Sequence, residues 1–141
     1  MLNKKCSRLV VACALAATPF VSSAVSAAAL DGASNAVCAV THVVACLEDG
    51  HCLQGQAKTF DLPELVVLDT SNKVLRGTHE SGHKETSPIK NMERNGEHLV
   101  LQGVENSRGW DIAINARTGR MSGSSVGDGI SFLAHGTCTA L

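Results

Sequence analysis

From residue 38 onward the sequence alternates between short apolar segments and turn residues, at intervals of about ten residues. The first of these segments is rich in valine and alanine, and after residue 30 no window of eleven or more residues shows a helical period. Hairpin-type turns join nearly all of them. The pattern predicts an all-β domain: a single antiparallel meander of about eight short strands, closed like a barrel or, alternatively, folded as a two-sheet sandwich.

One turn is specific enough to predict a strand register. An Asn-Gly dipeptide occupies positions 95–96, and it suits the centre of a type I′ turn because both central residues need positive φ. In that register Arg94 lies opposite Glu97, and Met92 lies opposite Leu99.

The segments near the C-terminus predict which side chains face the core. Trp110, Ile112 and Ile114 alternate with polar residues, so they share one face, and Gly119 suits a left-handed position in the turn that follows. The last strand places a second set of residues on one face: Ile130, Phe132, Ala134, Gly136 and Cys138.

The first 29 residues read as a secretory signal peptide. Lys4, Lys5 and Arg8 precede an apolar run over 9–21, and small residues allow cleavage near Ala28 or Ala29. The predicted organisation is a signal peptide over 1–29, a flexible lead-in over 30–37 and a β domain over 38–141. We expect a periplasmic or secreted protein with no membrane span after cleavage.

Charge and aromatic content bear on the partners. After cleavage the chain has nine basic and 13 acidic residues, a net charge of −4, which disfavours nucleic acid and anionic lipid as partners. The aromatic residues left are Phe60, Trp110 and Phe132, and base or sugar stacking would need exposed aromatics. A protein of the cell envelope or a small ligand is the expected partner, and the oligomeric state is open.

Four cysteines remain after the leader, an even number that predicts two disulfides in an oxidising compartment. Four cysteines allow three connectivities, and the sequence alone does not choose among them. We favour Cys46 with Cys52, across a short turn, and Cys38 with Cys138, which would join the first strand to the last.

Three features of the chain carry a resemblance: the four cysteines, the turn Thr118 to Met121, and the stretch Leu101, Gln102, Gly103, Glu105, Asn106, Arg108, Gly109 and Trp110. In these features the chain resembles a group of small, uncharacterised exported proteobacterial proteins. The resemblance runs from Cys38 to Cys138 and implies a shared exported β-fold with cysteines at matching places, but no activity. Small periplasmic lysozyme inhibitors offer a looser likeness in architecture alone.

Residues 79–83, HESGH, match the H-E-x-x-H pattern of zinc peptidases, in which two histidines of one helix face bind zinc and the glutamate activates water. Gly82 lies inside the pattern and no apolar face accompanies it, so we expect a loop and no metal or other cofactor. The alternative is a zinc-dependent hydrolase using His79, Glu80 and His83.

Glu105, Asn106 and Arg108 are the candidate binding residues, as a polar loop in which Arg108 contacts an anion. In the structural interpretation, which we favour, Asn106 and Gly109 supply turn conformations and Arg108 covers Trp110.

The function expected from the sequence is binding without catalysis, in a periplasmic or envelope-accessory protein whose ligand the sequence does not identify. The alternatives are the zinc hydrolase, and a structural or inhibitor-like envelope protein.

Overall fold

The computed structural model describes residues 30–78, 82 and 84–141. Within them the chain forms nine β-strands and one short 3₁₀ helix, Ala57–Phe60. No helix in these residues is long and apolar enough to cross a membrane. The strands are β1 Ala36–Leu47, β2 Cys52–Gly55, β3 Leu65–Asp69, β4 Val74–Gly77, β5 Thr86–Asn95, β6 His98–Glu105, β7 Arg108–Asn115, β8 Arg120–Gly127 and β9 Ile130–Ala140.

The strands form a closed antiparallel barrel. Strands β3 to β9 run as a meander, each paired with the next, and β9 returns to pair with β1 along nearly its whole length. Strand β1 also pairs with β3, which closes eight strands into a ring. The predicted all-β meander is confirmed, and its closure is the barrel rather than the sandwich.

Strand β1 changes partner along its length. Residues 36–39 pair with β3, whereas residues 43–46 pair with β2, the one strand outside the ring. The register with β9 shifts between Val40 and His42, where a bulge bends the strand. The four-residue β2 was not among the eight strands predicted from the sequence.

Both predicted disulfides are confirmed. Cys38–Cys138 joins β1 to β9, and Cys46–Cys52 joins β1 to β2. In each pair the two cysteines lie directly opposite in the strand register, which brings their side chains to the same face. The longer bridge therefore fastens the seam where the first and last strands of the ring meet.

The β domain was expected to begin at Cys38, but strand pairing begins at Ala36. Before it, Leu30 is buried in the core with 7% of its surface exposed. The Asn35 Oδ1 atom accepts hydrogen bonds from the backbone N and the hydroxyl of Thr70, each 3.0 Å long. These contacts attach residues 30–35, part of the 30–37 segment expected as a flexible lead-in, to the end of the barrel at the β3–β4 turn.

The hairpin of β5 and β6 forms, but its predicted register is wrong. Met92 lies opposite Leu101 rather than Leu99, and Arg94 lies opposite Leu99 rather than Glu97. The shift moves the turn by one residue and keeps each side chain on its expected face.

The turn is centred on Gly96 and Glu97, and Glu97 contacts the neighbouring β7–β8 turn. Gly96 takes a φ of 59°, which suits the first central position of a type II′ turn. The Glu97 carbonyl accepts a 2.7 Å hydrogen bond from the Ala116 backbone, and its carboxylate meets Arg117 at 3.2 Å. Contacts with the β7–β8 turn thus outweigh the local Asn-Gly preference.

Candidate functional site in the barrel lumen

The inward-facing side chains pack differently in the two halves of the barrel. Leu68, Leu101 and Ile114 are fully buried and fill the half nearer the β3–β4 turn. Toward the other end small residues alternate around the wall with large ones, and space remains in the lumen. In the register, inward rows run from Leu101 through Ile112 and Gly123 to Ala134, and from Gly103 through Trp110 and Ser125 to Phe132.

A cavity of about 920 Å³ results, continuous with solvent at the end formed by the β4–β5, β6–β7 and β8–β9 connections. Its deep wall is apolar and includes Leu68, Leu101 and Met121, while its rim carries charged residues. Small-molecule sites typically have volumes of about 300–1,000 Å³, with apolar walls and a few polar groups. The lumen meets that description.

Trp110 forms one wall of the cavity and lies over a glycine. The ring covers Gly103 on the neighbouring strand, because a Cβ atom at residue 103 would overlap the indole. Its Nε1 atom donates a 2.7 Å hydrogen bond to the hydroxyl of Ser87, a buried residue of β5. Trp110 thereby spans three strands, and its indole is fixed by packing and by a polar contact.

Arg108 stands at the rim and lies over Phe132, with the guanidinium carbon 5.5 Å from the ring centroid. The expectation that Arg108 covers Trp110 is therefore replaced by a contact with a different aromatic ring. The reason is Gly127, whose missing side chain leaves the space that the Arg108 stem crosses to reach β9. Arg108 is half-buried, so its side chain is partly excluded from solvent.

The β6–β7 turn holds Glu105 and Arg108 directly opposite each other. Its two central residues, Asn106 and Ser107, have φ values of 47° and 63°, the pattern of a type I′ turn. The prediction that Gly109 supplies a turn conformation is wrong, because Gly109 lies within β7. Ser107 has that role instead, at the steric cost of a left-handed position for a residue with a Cβ atom.

The three candidate binding residues are thus together at the cavity rim. Glu105 and Arg108 line the cavity with Asn106 between them in the turn. Although they are opposite in register, the carboxylate of Glu105 and the guanidinium of Arg108 do not form an ion pair. The rim therefore offers an anionic and a cationic group to a bound molecule, and Asp128 adds a carboxylate from the β8–β9 turn.

The zinc-hydrolase alternative falls outside the described residues, since His79, Glu80 and His83 are not among them. Gly82, which is described, has a φ of 77°. In the described part of the chain, no three or more histidine, cysteine, aspartate or glutamate side chains are grouped so that they could hold a metal ion.

Sequence reasoning missed Ser87, Ser125 and Phe132, which line the cavity with the predicted residues. The available signal was the glycine and serine content of inward positions, since Gly103 and Gly123 fall where an alternating strand should bury a large side chain. Predicting a cavity from those residues also requires knowledge of the register between strands.

Comparisons with protein-family models, with curated proteins and with solved structures found no match to this chain.

Proposed function

We propose that this protein is a non-catalytic, exported binding protein of the cell envelope that holds a small molecule in the barrel lumen. The observation that carries the proposal is the cavity of about 920 Å³ with an apolar wall and a charged rim. A molecule with an apolar body and a polar end fits this arrangement, the body buried in the lumen and the polar end at the rim.

The barrel suits binding because its wall is preorganised. Eight strands form a closed ring, and the Cys38–Cys138 disulfide fastens its seam. A ligand that binds inside such a rigid wall immobilises few additional protein groups. Less of the interaction free energy is therefore offset by lost conformational entropy. Transfer of its apolar surface from water contributes about 25 cal/mol per Å².

The rim residues orient the polar end of the ligand. Arg108 is half-buried on Phe132 and has no carboxylate within ion-pair distance among the described residues, which suits contact with an anionic or strongly polar group. Glu105 faces it across the turn and accepts hydrogen bonds from donors on the same ligand. Binding through this loop was the less favoured of the two interpretations drawn from the sequence, and the proposal adds the lumen behind it.

Export to the periplasm, or secretion, is part of the proposal. It is supported by the signal-like residues 1–29, by the resemblance to small exported proteins and by two disulfides, which persist in oxidising compartments. Mass measurement of the protein recovered from the envelope fraction tests it, with the expected N-terminus near Leu30. Recovery of the full-length chain from the cytoplasm alone would contradict it.

Binding is tested with a neutral fluorescent apolar probe, N-phenylnaphthylamine, titrated into the mature protein. Ala134 lines the cavity, so Ala134→Phe should fill part of the lumen and weaken probe binding by about tenfold or more, the equivalent of about 1.4 kcal/mol. The matched control is Leu133→Phe at the adjacent position, which is half exposed on the outer face. It adds an aromatic ring to the same strand without entering the lumen.

Equal probe binding by both variants would overturn the lumen as the site, as would the absence of probe binding to the unaltered protein. Circular dichroism checks that each variant retains the barrel. Native mass spectrometry of protein from the envelope fraction then looks for a co-purified small molecule, which Ala134→Phe should lose and Leu133→Phe should keep.

A further inference from the structure

Two exposed histidines lie directly opposite each other on the outer surface of the barrel. His42 belongs to β1 and His135 to β9, and the two are register partners although 93 residues separate them. We propose that His42 and His135 together bind one divalent transition-metal ion. The site is distinct from the lumen, and the proposal does not depend on the proposed function.

The strand alternation places both imidazoles on the same side of the sheet. Val43 is buried and Ala134 lines the cavity, so their neighbours His42 and His135 point outward. Residues directly opposite on antiparallel strands have Cβ atoms about 4.5–5.5 Å apart, so two imidazoles at such positions can reach one ion. The fold, rather than local sequence, creates this pair.

A neighbouring serine orients one of the rings. The hydroxyl of Ser122, opposite His135 on β8, lies 3.2 Å from the His135 Nδ1 atom. A hydrogen bond at Nδ1 directs Nε2 away from Ser122, and when Nδ1 is the donor Nε2 keeps its lone pair for a metal. Metal-binding histidines commonly use their second nitrogen in this way, since the bond sets both tautomer and orientation.

His42 is available to complete the pair. It is exposed, and it makes no side-chain hydrogen bond or ion pair within the residues that the structure describes. Once His135 holds an ion, binding by His42 becomes intramolecular, which raises the affinity above that of a single histidine. Imidazole nitrogen suits Zn²⁺, Ni²⁺ and Cu²⁺, and water completes the coordination, so the bound ion stays exchangeable.

The test is isothermal titration of the mature protein with ZnCl₂. His42→Ala and His135→Ala should each weaken Zn²⁺ binding by about tenfold or more, because each leaves a single imidazole. Ser122→Ala should weaken it by about tenfold while both histidines remain. The matched control is His98→Ala on β6, an exposed histidine that lies opposite Asn95 and Asn115 rather than another histidine.

Two further variants separate this site from the HESGH stretch. Unchanged affinity in His79→Ala and His83→Ala supports the His42–His135 pair, whereas loss of binding in those variants alone would overturn it. Equal weakening by His98→Ala and His42→Ala would also overturn it, since it would mean binding to separate histidines. Thermal denaturation in EDTA checks that the variants remain folded without metal.

Discussion

Trp110 lies over Gly103 on the neighbouring strand and occupies the space that a side chain at residue 103 would need. The ring also bonds to Ser87 on β5, so it cannot move aside without losing a buried hydrogen bond. The packing of three strands of the cavity wall, β5, β6 and β7, therefore depends on glycine at residue 103 of β6.

The first prediction is that Gly103→Ala lowers the free energy of unfolding by about 1–3 kcal/mol, because the added methyl group overlaps the indole and the Pro88 carbonyl. Gly109→Ala is the control, since a Cβ there would meet nothing within 4 Å. Urea denaturation followed by Trp110 fluorescence measures both. Equal stability of the two variants would contradict the prediction, because it would show that the cavity wall accommodates the added methyl group.

The second prediction concerns Ser107, which holds a φ of 63° in the β6–β7 turn. Ser107→Gly should raise the free energy of unfolding by about 0.5–1 kcal/mol, because glycine adopts left-handed conformations without the Cβ penalty. Ser71→Gly, in another exposed turn but without positive φ, should lower it. A destabilised Ser107→Gly protein would count against strain at this position.

The third prediction separates the two disulfides. Removing the Cys38–Cys138 bridge, which spans 100 residues, should cost about 4–5 kcal/mol, whereas removing Cys46–Cys52, which spans six, should cost about 2–3 kcal/mol. Each double alanine variant is the control for the other in urea denaturation. A larger loss of unfolding free energy on removal of Cys46–Cys52 would show that attachment of β2, rather than closure of the seam, limits stability.

The fourth prediction concerns acid stability. Hydrogen bonds from the Asn72 side chain and backbone hold the pKa of Asp69 below its ordinary value, and Arg76 adds a weaker charge contribution. A lowered pKa stabilises the fold fully above the unfolded value of about 3.9, and the contribution is lost as the pH falls through the folded pKa. Asp69→Asn should therefore destabilise the protein at pH 7 and converge toward the unaltered protein in acid.

Urea denaturation at pH 7 and at several points between pH 2 and 5 measures this convergence. Glu93→Gln is the control, because it removes one negative charge from an exposed position on β5. A stability difference between Asp69→Asn and the unaltered protein that stays constant down to pH 2 would contradict the assignment.

The parts of the fold that could be predicted are those encoded by alternation within a single strand. Trp110, Ile112 and Ile114 were placed on one inward face, and Cys138 shared its face with Phe132, which made a bridge to the first strand plausible before any pairing was known. The structure bears out both arrangements. Each needs only the two-residue period of a strand.

The parts that could not be predicted depend on contacts between distant segments. Glu97 takes its turn position through residues of the β7–β8 turn, and Arg108 reaches Phe132 because Gly127 leaves room. Ser87 looks like a loop residue in the sequence, yet it is buried as the acceptor for Trp110. The cavity was missed for the same reason, since its small wall residues come from several strands whose alignment the sequence does not state.

The partner change along β1 has a consequence for the order in which the barrel assembles. During synthesis β1 emerges first, while β9, which pairs with it along its length, emerges last. Closure of the ring is thus a contact of very high sequence separation, which slows folding. The hairpin of β1 with β2 is local, and its disulfide, Cys46–Cys52, spans only six residues. It can therefore form before the rest of the chain is synthesised. We therefore expect β2 to shield residues 43–46 of β1 from intermolecular pairing along the edge opposite the one that β9 later covers.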